Sequence, residues 1–296
     1  MPALNILVRT FLNAGEKAII QPPVYAPFTS AVEKNGGIVA PNPLIYENGC
    51  YRMDFADLEA KARDPQVKLA ILCHPHNPVG RVWTPDELTR FAEICIANDV
   101  LIISDEIHGD LILPGHQFAP LASLSNDFAP HVITCTSASK TFNMAGLHLS
   151  NIMIPDEDKR KRFSEALLNL GLIGVGAMSI VAVKAAYNHS EEWLDQLLAY
   201  LDGNLRYLRE YLATNLPQIR MVEPEGTYLV WLDCRALELD KDELHHLMFD
   251  EARVYLDDGF IFGTQGESFQ RINIACPRSI LAEALDRIRN AIGHSG

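Results

Sequence analysis

VKLAILCHPHNPVG, residues 67–80, decides the fold. A nearly unbroken apolar run ends in a polar turn broken by two prolines. VLIISDEI (100–107) and HVITCTSASK (131–140) repeat the pattern, each finishing in carboxylate, hydroxyl or amine groups. Runs of this kind, rich in Val, Ile and Leu and without strict alternation, predict strands buried on both faces. EKAIIQPP (16–23), GGIVAPNPL (36–44) and LHLSNIMIP (147–155) add further strands.

Helical stretches lie between them. TPDELTRFAEICIAND (84–99) has Thr84 as N-cap and Pro85 at its first position. MDFADLEAKARD (53–64) starts behind Asp54, and PFTSAVEKNGG (27–37) stops at a glycine pair. Strands alternating with helices predict an α/β fold with a mostly parallel sheet between helices. Ligands of such sheets bind at the carboxyl ends of the strands. CHPHNPVG, SDEIHGD and TSASK all fall there, so three polar strand ends are expected to converge on one site.

Beyond Asn188 the texture changes. SEEWLDQLLAYLDGNLRYLREYLATNLP (190–217) reads as one long helix with Trp193, Leu197, Leu201, Leu205 and Leu208 on a stripe. Strands around a Glu-Gly turn (219–235), a helix (240–252), a strand (269–279) and a last helix (280–293) follow. Two units are expected. Residues 1–189 form the large unit, and 190–296 form a smaller C-terminal α+β unit that includes the long interdomain helix.

The chain has 296 residues, 48% hydrophobic and 21% charged, an ordinary balance for a globular protein with a core of its own. A formal net charge of −13 argues against a nucleic-acid partner. The six cysteines form no C-x-x-C pair and are expected to be reduced thiols. No apolar run approaches the roughly 20 residues of a membrane span, and the start lacks a signal-peptide pattern. The expectation is a cytoplasmic protein without a membrane partner.

Lys140 needs a reason, because an ammonium at a buried strand end is costly unless it is paired or chemically used. Asn77-Pro78, Asp105, Ser137, Arg271 and Tyr25 stand with it. Pyridoxal phosphate asks for these types together. It needs an amine for its aldehyde, a carboxylate for its pyridine nitrogen, donors for its phenolic oxygen, an aromatic face and a phosphate binder. A guanidinium then grips the substrate carboxylate. The histidines of His74-x-His76 lack a third ligand in reach and read as loop residues, so no metal is expected. No G-x-G-x-x-G follows a strand, and no G-x-S-x-G is present.

Lys140 in SASKTFNMAGL, Asp105 in SDEIH, Asn77 in HNPVG and Arg271 in RINIACPR resemble the fold-type I, class I/II aminotransferase superfamily of pyridoxal-phosphate enzymes. Within it, QPPVYAPF, SDEIHGDL, GLHLSNIMIP, TYLVWLDCR and NIACPRS resemble the bacterial cystathionine β-lyase (C–S lyase) branch. The resemblance implies the aspartate aminotransferase-like fold and a role for each residue. Lys140 would hold the cofactor aldehyde and act as base, with Asp105 on the pyridinium and Tyr25 on the ring. Asn77, before a cis Pro78, and His108 would donate to the phenolic oxygen. Ser137 would bind the phosphate, and Arg271 the substrate carboxylate.

Two positions depart from the aminotransferase pattern toward the lyase branch. His108 stands where tyrosine is usual, and His148 where many relatives carry a phosphate-binding arginine. His148 receives no site role. The resemblance starts at Met1-Pro2-Ala3-Leu4-Asn5 and implies about 90 further residues before it, so a shortened chain is expected. The activity implied is α,β-elimination of a sulfur amino acid to thiol, pyruvate and ammonia. A class I/II aminotransferase is the alternative, and a non-catalytic protein-binding regulator the second. A homodimer is implied as well.

Overall fold

The computed structural model describes residues 2–172 and 174–294; Met1, where the resemblance begins, lies outside them. Helix α1 (Pro2–Phe11) leads to β1 (Lys17–Ile20), and α2 (Pro27–Lys34) to β2 (Ile38–Pro41). A hairpin of β3 (Ile45–Glu47) and β4 (Cys50–Arg52) comes next. It adds to the expected elements, and its turn residues explain it. Asn48 (φ 53°) and Gly49 (φ 81°) take the left-handed pair that a two-residue hairpin turn demands.

Helix α3 (Phe55–Ala62), β5 (Val67–Cys73), α4 (Pro85–Ala97) and β6 (Leu101–Asp105) follow as expected. The Asp54 side chain accepts from Asp57 N–H at 3.0 Å. Thr84 and Glu87 close a reciprocal capping box at α4. Each cap stabilises its helix by about 1 kcal/mol. Next come β7 (Val132–Thr136), the single turn α5 (Ala138–Thr141) and β8 (Asn151–Met153).

The six-stranded sheet runs β2-β1-β5-β6-β7-β8. Every pairing is parallel except β7 with β8. Alternate residues feed two layers. Leu69, Ile71, Ile103 and Ile133 pack with α1 and α2 residues such as Leu7 and Phe28, whereas Ala70, Leu72, Ile102 and Val132 pack with Leu58, Leu88 and Phe91. Helices on both faces explain why these strands are largely apolar without strict alternation. In register, Cys73 opposes Asp105 and Asp105 opposes Cys135, so the polar strand ends align at one edge.

Helices α6 (Glu157–Asn169), α7 (Ala177–His189) and α8 (Glu191–Asn215) connect to an antiparallel sheet. Its strands are β9 (Arg220–Val222), β10 (Leu229–Asp233), β11 (Asp257–Asp258) and β12 (Phe269–Asn273), in the order β11-β12-β10-β9. Helix α9 (Lys241–His246) and a π turn lie between β10 and β11, and α10 (Arg278–His294) closes the chain. The α8 stripe is buried at Leu201, Leu205 and Leu208 against Leu281, Leu285 and Ile288 of α10. Trp193 leaves that stripe and is 48% exposed, with its ring on Phe142 instead.

The two cores interlock. Trp231, Phe262 and Phe269 pack with Trp83 and Phe91, while Leu111 and Leu113 join the α8–α10 core. Buried Arg81 pins the junction, paired with Glu87 at 3.0 Å and Glu225 at 2.9 Å. Among the described residues, no helix is long and apolar enough to cross a membrane.

Candidate functional site

The aligned ends of β6 and β7 and the start of α1 enclose a cavity of about 390 Å3. Tyr25, Asp105, Ser137 and Lys140 line it together with Ile107, Cys135 and His148. Lys140 sits in α5, which Ser137 begins. The Ser137 Oγ accepts from Ser139 N–H at 3.2 Å and donates to the Leu149 carbonyl at 2.7 Å. Strand ends 35 residues apart in sequence, at Asp105 and Lys140, thus share one cavity wall.

Asp105 reaches the cavity from deep in the fold. Loss of solvent pushes its carboxyl up to about 6, tempered by Ile107 N–H at 3.4 Å and the Lys140 charge. Glu106 points elsewhere, accepting from Ser104 Oγ at 2.8 Å and Leu121 N–H at 3.1 Å, and burial lifts it to about 7. Burial also raises the Tyr25 phenol, with the Asp105 charge adding and Arg271 opposing.

Asn77, His108 and Arg271 are not part of the cavity lining; Asn77 and Arg271 are hydrogen-bonded to each other, and His108 feels the charges of Arg271 and Lys140. Arg271 Nη1 donates to Asn77 Oδ1 at 2.7 Å, and Tyr25 N–H donates to the Asn77 carbonyl at 3.2 Å. The Asn77–Pro78 peptide is cis, as are Pro22–Pro23 and His74–Pro75. Arg271 Nε donates to Asp257 at 3.1 Å, Nη2 reaches the same oxygen, and the guanidinium lies 4.8 Å from the centre of the Phe262 ring. His108 is buried, and among the described residues neither of its ring nitrogens has a hydrogen-bond partner. Desolvation lowers its pKa to about 3, with the Lys140 and Arg271 charges adding to the effect.

Asp257 was not legible as the partner of Arg271. The pair is made across β11–β12, where Asp257 faces Arg271 in register, and a two-residue strand leaves no periodic signal. Cys135 could have been found from register alone, since it lies beside Asp105. His148, given no role from the sequence, is at the cavity wall in a left-handed conformation (φ 49°). His74 and His76 are both buried elsewhere in the fold. His74 Nε2 lies 3.1 Å from the Ala119 carbonyl and its ring stacks on Phe118.

These groups set a pH dependence of stability for the cofactor-free protein. Burial lowers His74 to about 4 and His76 and His108 to about 3, so below the ordinary value of 6.5 the unfolded chain takes up protons that the folded one refuses. That stability is present above pH 6.5 and is lost as pH falls toward the folded values. Asp105 and Glu106 act oppositely: raised to about 6 and 7, they bind protons in the folded state first and recover stability on acidification. Three sites outweigh two, and the net loss from about pH 7.5 to pH 5 is on the order of 2 kcal/mol. Urea midpoints across that range are expected to fall with acid, and a rise would contradict the balance.

The family model of the class I and II aminotransferases matches residues 2–288. Cystathionine beta-lyase PatB of Bacillus subtilis is 44% identical over 290 residues, which cover 98% of this chain and 75% of that protein. The crystal structure of cystalysin from Treponema denticola, which contains a pyridoxal 5'-phosphate cofactor, superposes with a TM-score of 0.98 at 37% identity, covering 100% of this chain and 75% of that one. A PLP-bound protein of Clostridium difficile 630, described as a candidate aminotransferase, gives 0.96 at 46% identity, covering 98% and 75%.

Proposed function

This chain belongs to the class I and II aminotransferases, and from there we propose that it is a pyridoxal-phosphate-dependent carbon–sulfur β-lyase acting on a sulfur amino acid such as cystathionine. The observation that carries the reading is the meeting of Lys140 and Asp105 on one cavity wall. Likeness to PatB, named a cystathionine beta-lyase, gives the direction of the chemistry.

The residues suit the cofactor. Among the described residues the Asp105 carboxylate accepts only a long backbone hydrogen bond, with the Lys140 charge nearby, and so has room for a donor such as a protonated pyridine nitrogen. The single N–H of the neutral, buried His108 ring, unpartnered among the described residues, and the amide end of Asn77 not used by Arg271 offer donors for a phenolic oxygen. Tyr25 would cover the ring, and Ser137 would meet the phosphate by turning its one hydroxyl hydrogen away from the Leu149 carbonyl. When bound, pyridoxal phosphate supplies an electron sink for charge developing at the substrate Cα.

In this reading Arg271 holds the substrate carboxylate. Asp257 and Asn77 fix its guanidinium, which keeps further N–H groups for a bidentate grip. Lys140 Nζ would take the Cα proton. The Cβ–S bond would break as the electron pair left at Cα forms the Cα–Cβ double bond, and the leaving sulfur would become a thiol by taking the proton that Lys140 Nζ carries. Water then converts the three-carbon remainder to pyruvate and ammonia. Burial keeps His108 neutral, so it adds no charge beside Lys140. Incubation with cystathionine should yield pyruvate and thiol in equal amounts without any keto acid. Strict dependence on an added keto acid would favour transamination, the reading to which the Clostridium difficile neighbour points.

A homodimer, a cytoplasmic location and the division at 189/190 belong to the same proposal. Helix α7 supports the dimer: it leaves Met178 75% and Val181 62% exposed, with Leu168, Leu172 and Val175 exposed beside it. Light scattering should give twice the 33.0 kDa of one chain, and a monomer at micromolar concentration would count against it. Six free thiols fit a reducing compartment.

A further inference from the structure

We propose that Asp110 is a positioning residue for Lys140, acting through the Thr141 hydroxyl; this rests on Lys140 being the amine that works in the cavity. A helix of one turn cannot hold its own geometry, because about six dihedrals are fixed for a single hydrogen bond. The placement of α5, four residues long, must therefore come from outside. Its front end is tied by Ser137 to the Leu149 carbonyl. Its back end is tied by Asp110.

The chain leaving β6 makes a turn closed by Gly109 N–H to the Glu106 carbonyl at 3.0 Å and Leu111 N–H to the His108 carbonyl at 2.9 Å. That turn presents Asp105 to the cavity and, five residues on, Asp110 to the far side of α5. Asp110 Oδ2 accepts from Thr141 Oγ1 at 2.8 Å and from the Tyr187 hydroxyl at 3.3 Å. Thr141 is buried and adjacent to Lys140, so anchoring its side chain fixes the lysine backbone. Phe142 completes the clamp, its ring meeting Tyr187 edge-on at 5.5 Å and Trp193 at 5.8 Å. The two partners expected of the cofactor, the acid on its ring and the amine on its aldehyde, are thereby held in register by one turn.

The test uses Asp110→Ala, Thr141→Val, Thr141→Ser and the double variant Asp110→Ala/Thr141→Val. In protein loaded with pyridoxal phosphate, kcat, KM and the pH midpoint of the bound-cofactor absorbance are measured. In cofactor-free protein, the rate at which an amine reagent labels Lys140 is followed by peptide mass. Asp110→Ala and Thr141→Val should each lower kcat about tenfold or more, with KM within about twofold, since displacements near 1 Å cost rates of this size. Both should move the absorbance midpoint in the same direction and speed labelling of Lys140. The double variant should be no worse than either single one, and Thr141→Ser should restore most of the activity. Unchanged kcat, midpoint and labelling in both single variants, or effects that add in the double, would overturn the inference. Thr141→Val conserves shape and decides the matter if Asp110→Ala fails to fold. Should the unsubstituted protein take up no pyridoxal phosphate, the functional reading fails on its own, and the Lys140 labelling rates still test the clamp.

Discussion

Replacing Lys140 by alanine should lower turnover of a sulfur amino acid by about 10^3-fold or more while leaving the fold intact, because the amine is both the attachment point and the base. The structure separates this from a stability effect. Lys140 lies half-buried at the cavity wall in a one-turn helix, and among the described residues no hydrogen bond or ion pair holds its side chain. Its removal therefore leaves no orphaned partner. Melting temperature should stay within a few degrees, and the absorbance that pyridoxal phosphate acquires on attachment to lysine should be absent. Wild-type turnover in the Lys140→Ala protein would assign the proton transfer to another group.

Asp105→Asn should separate function from stability. Its carboxyl is raised to about 6 by burial, so keeping it ionised at neutral pH costs the cofactor-free protein on the order of 3 kcal/mol. An amide carries no charge to bury. The variant should therefore resist urea better than the original above about pH 6, and the gain should vanish as pH falls below the folded value. Its turnover should nonetheless fall by about 10^2-fold or more, because a neutral amide cannot hold the pyridine nitrogen protonated. An aspartate that served only to hold the fold would show the reverse, less stability and little change in rate. The combination follows where stability is given up to preorganise a charge.

What could be read from the sequence followed the strength of each local signal. Residues 67–73, 101–105 and 132–136 are largely apolar without strict alternation, which suits burial on both faces of a parallel sheet, so the sheet and its polar edge were legible. Thr84 and Asp54 marked helix starts because a cap needs one residue type at one place. Lys140, Asp105 and Tyr25 were legible as a set from the chemistry that such types serve together, and they share a cavity. Contacts made across sequence left no mark. Asp257 meets Arg271 across a two-residue strand, Asp110 meets Thr141 over 31 residues, and Trp193 turns from its helical stripe to cover Phe142. Each depends on tertiary geometry that periodicity does not encode. The hairpin at Asn48-Gly49 is different, since its turn chemistry was present in the chain.

The central claim is that Lys140 binds the cofactor covalently in a cavity it shares with Asp105. Incubation with pyridoxal phosphate, reduction with borohydride and peptide mapping test it most directly. One pyridoxyl group per chain is expected, on the peptide containing Lys140 and nowhere else. A label on a different lysine, or none after reduction of folded protein, would contradict it.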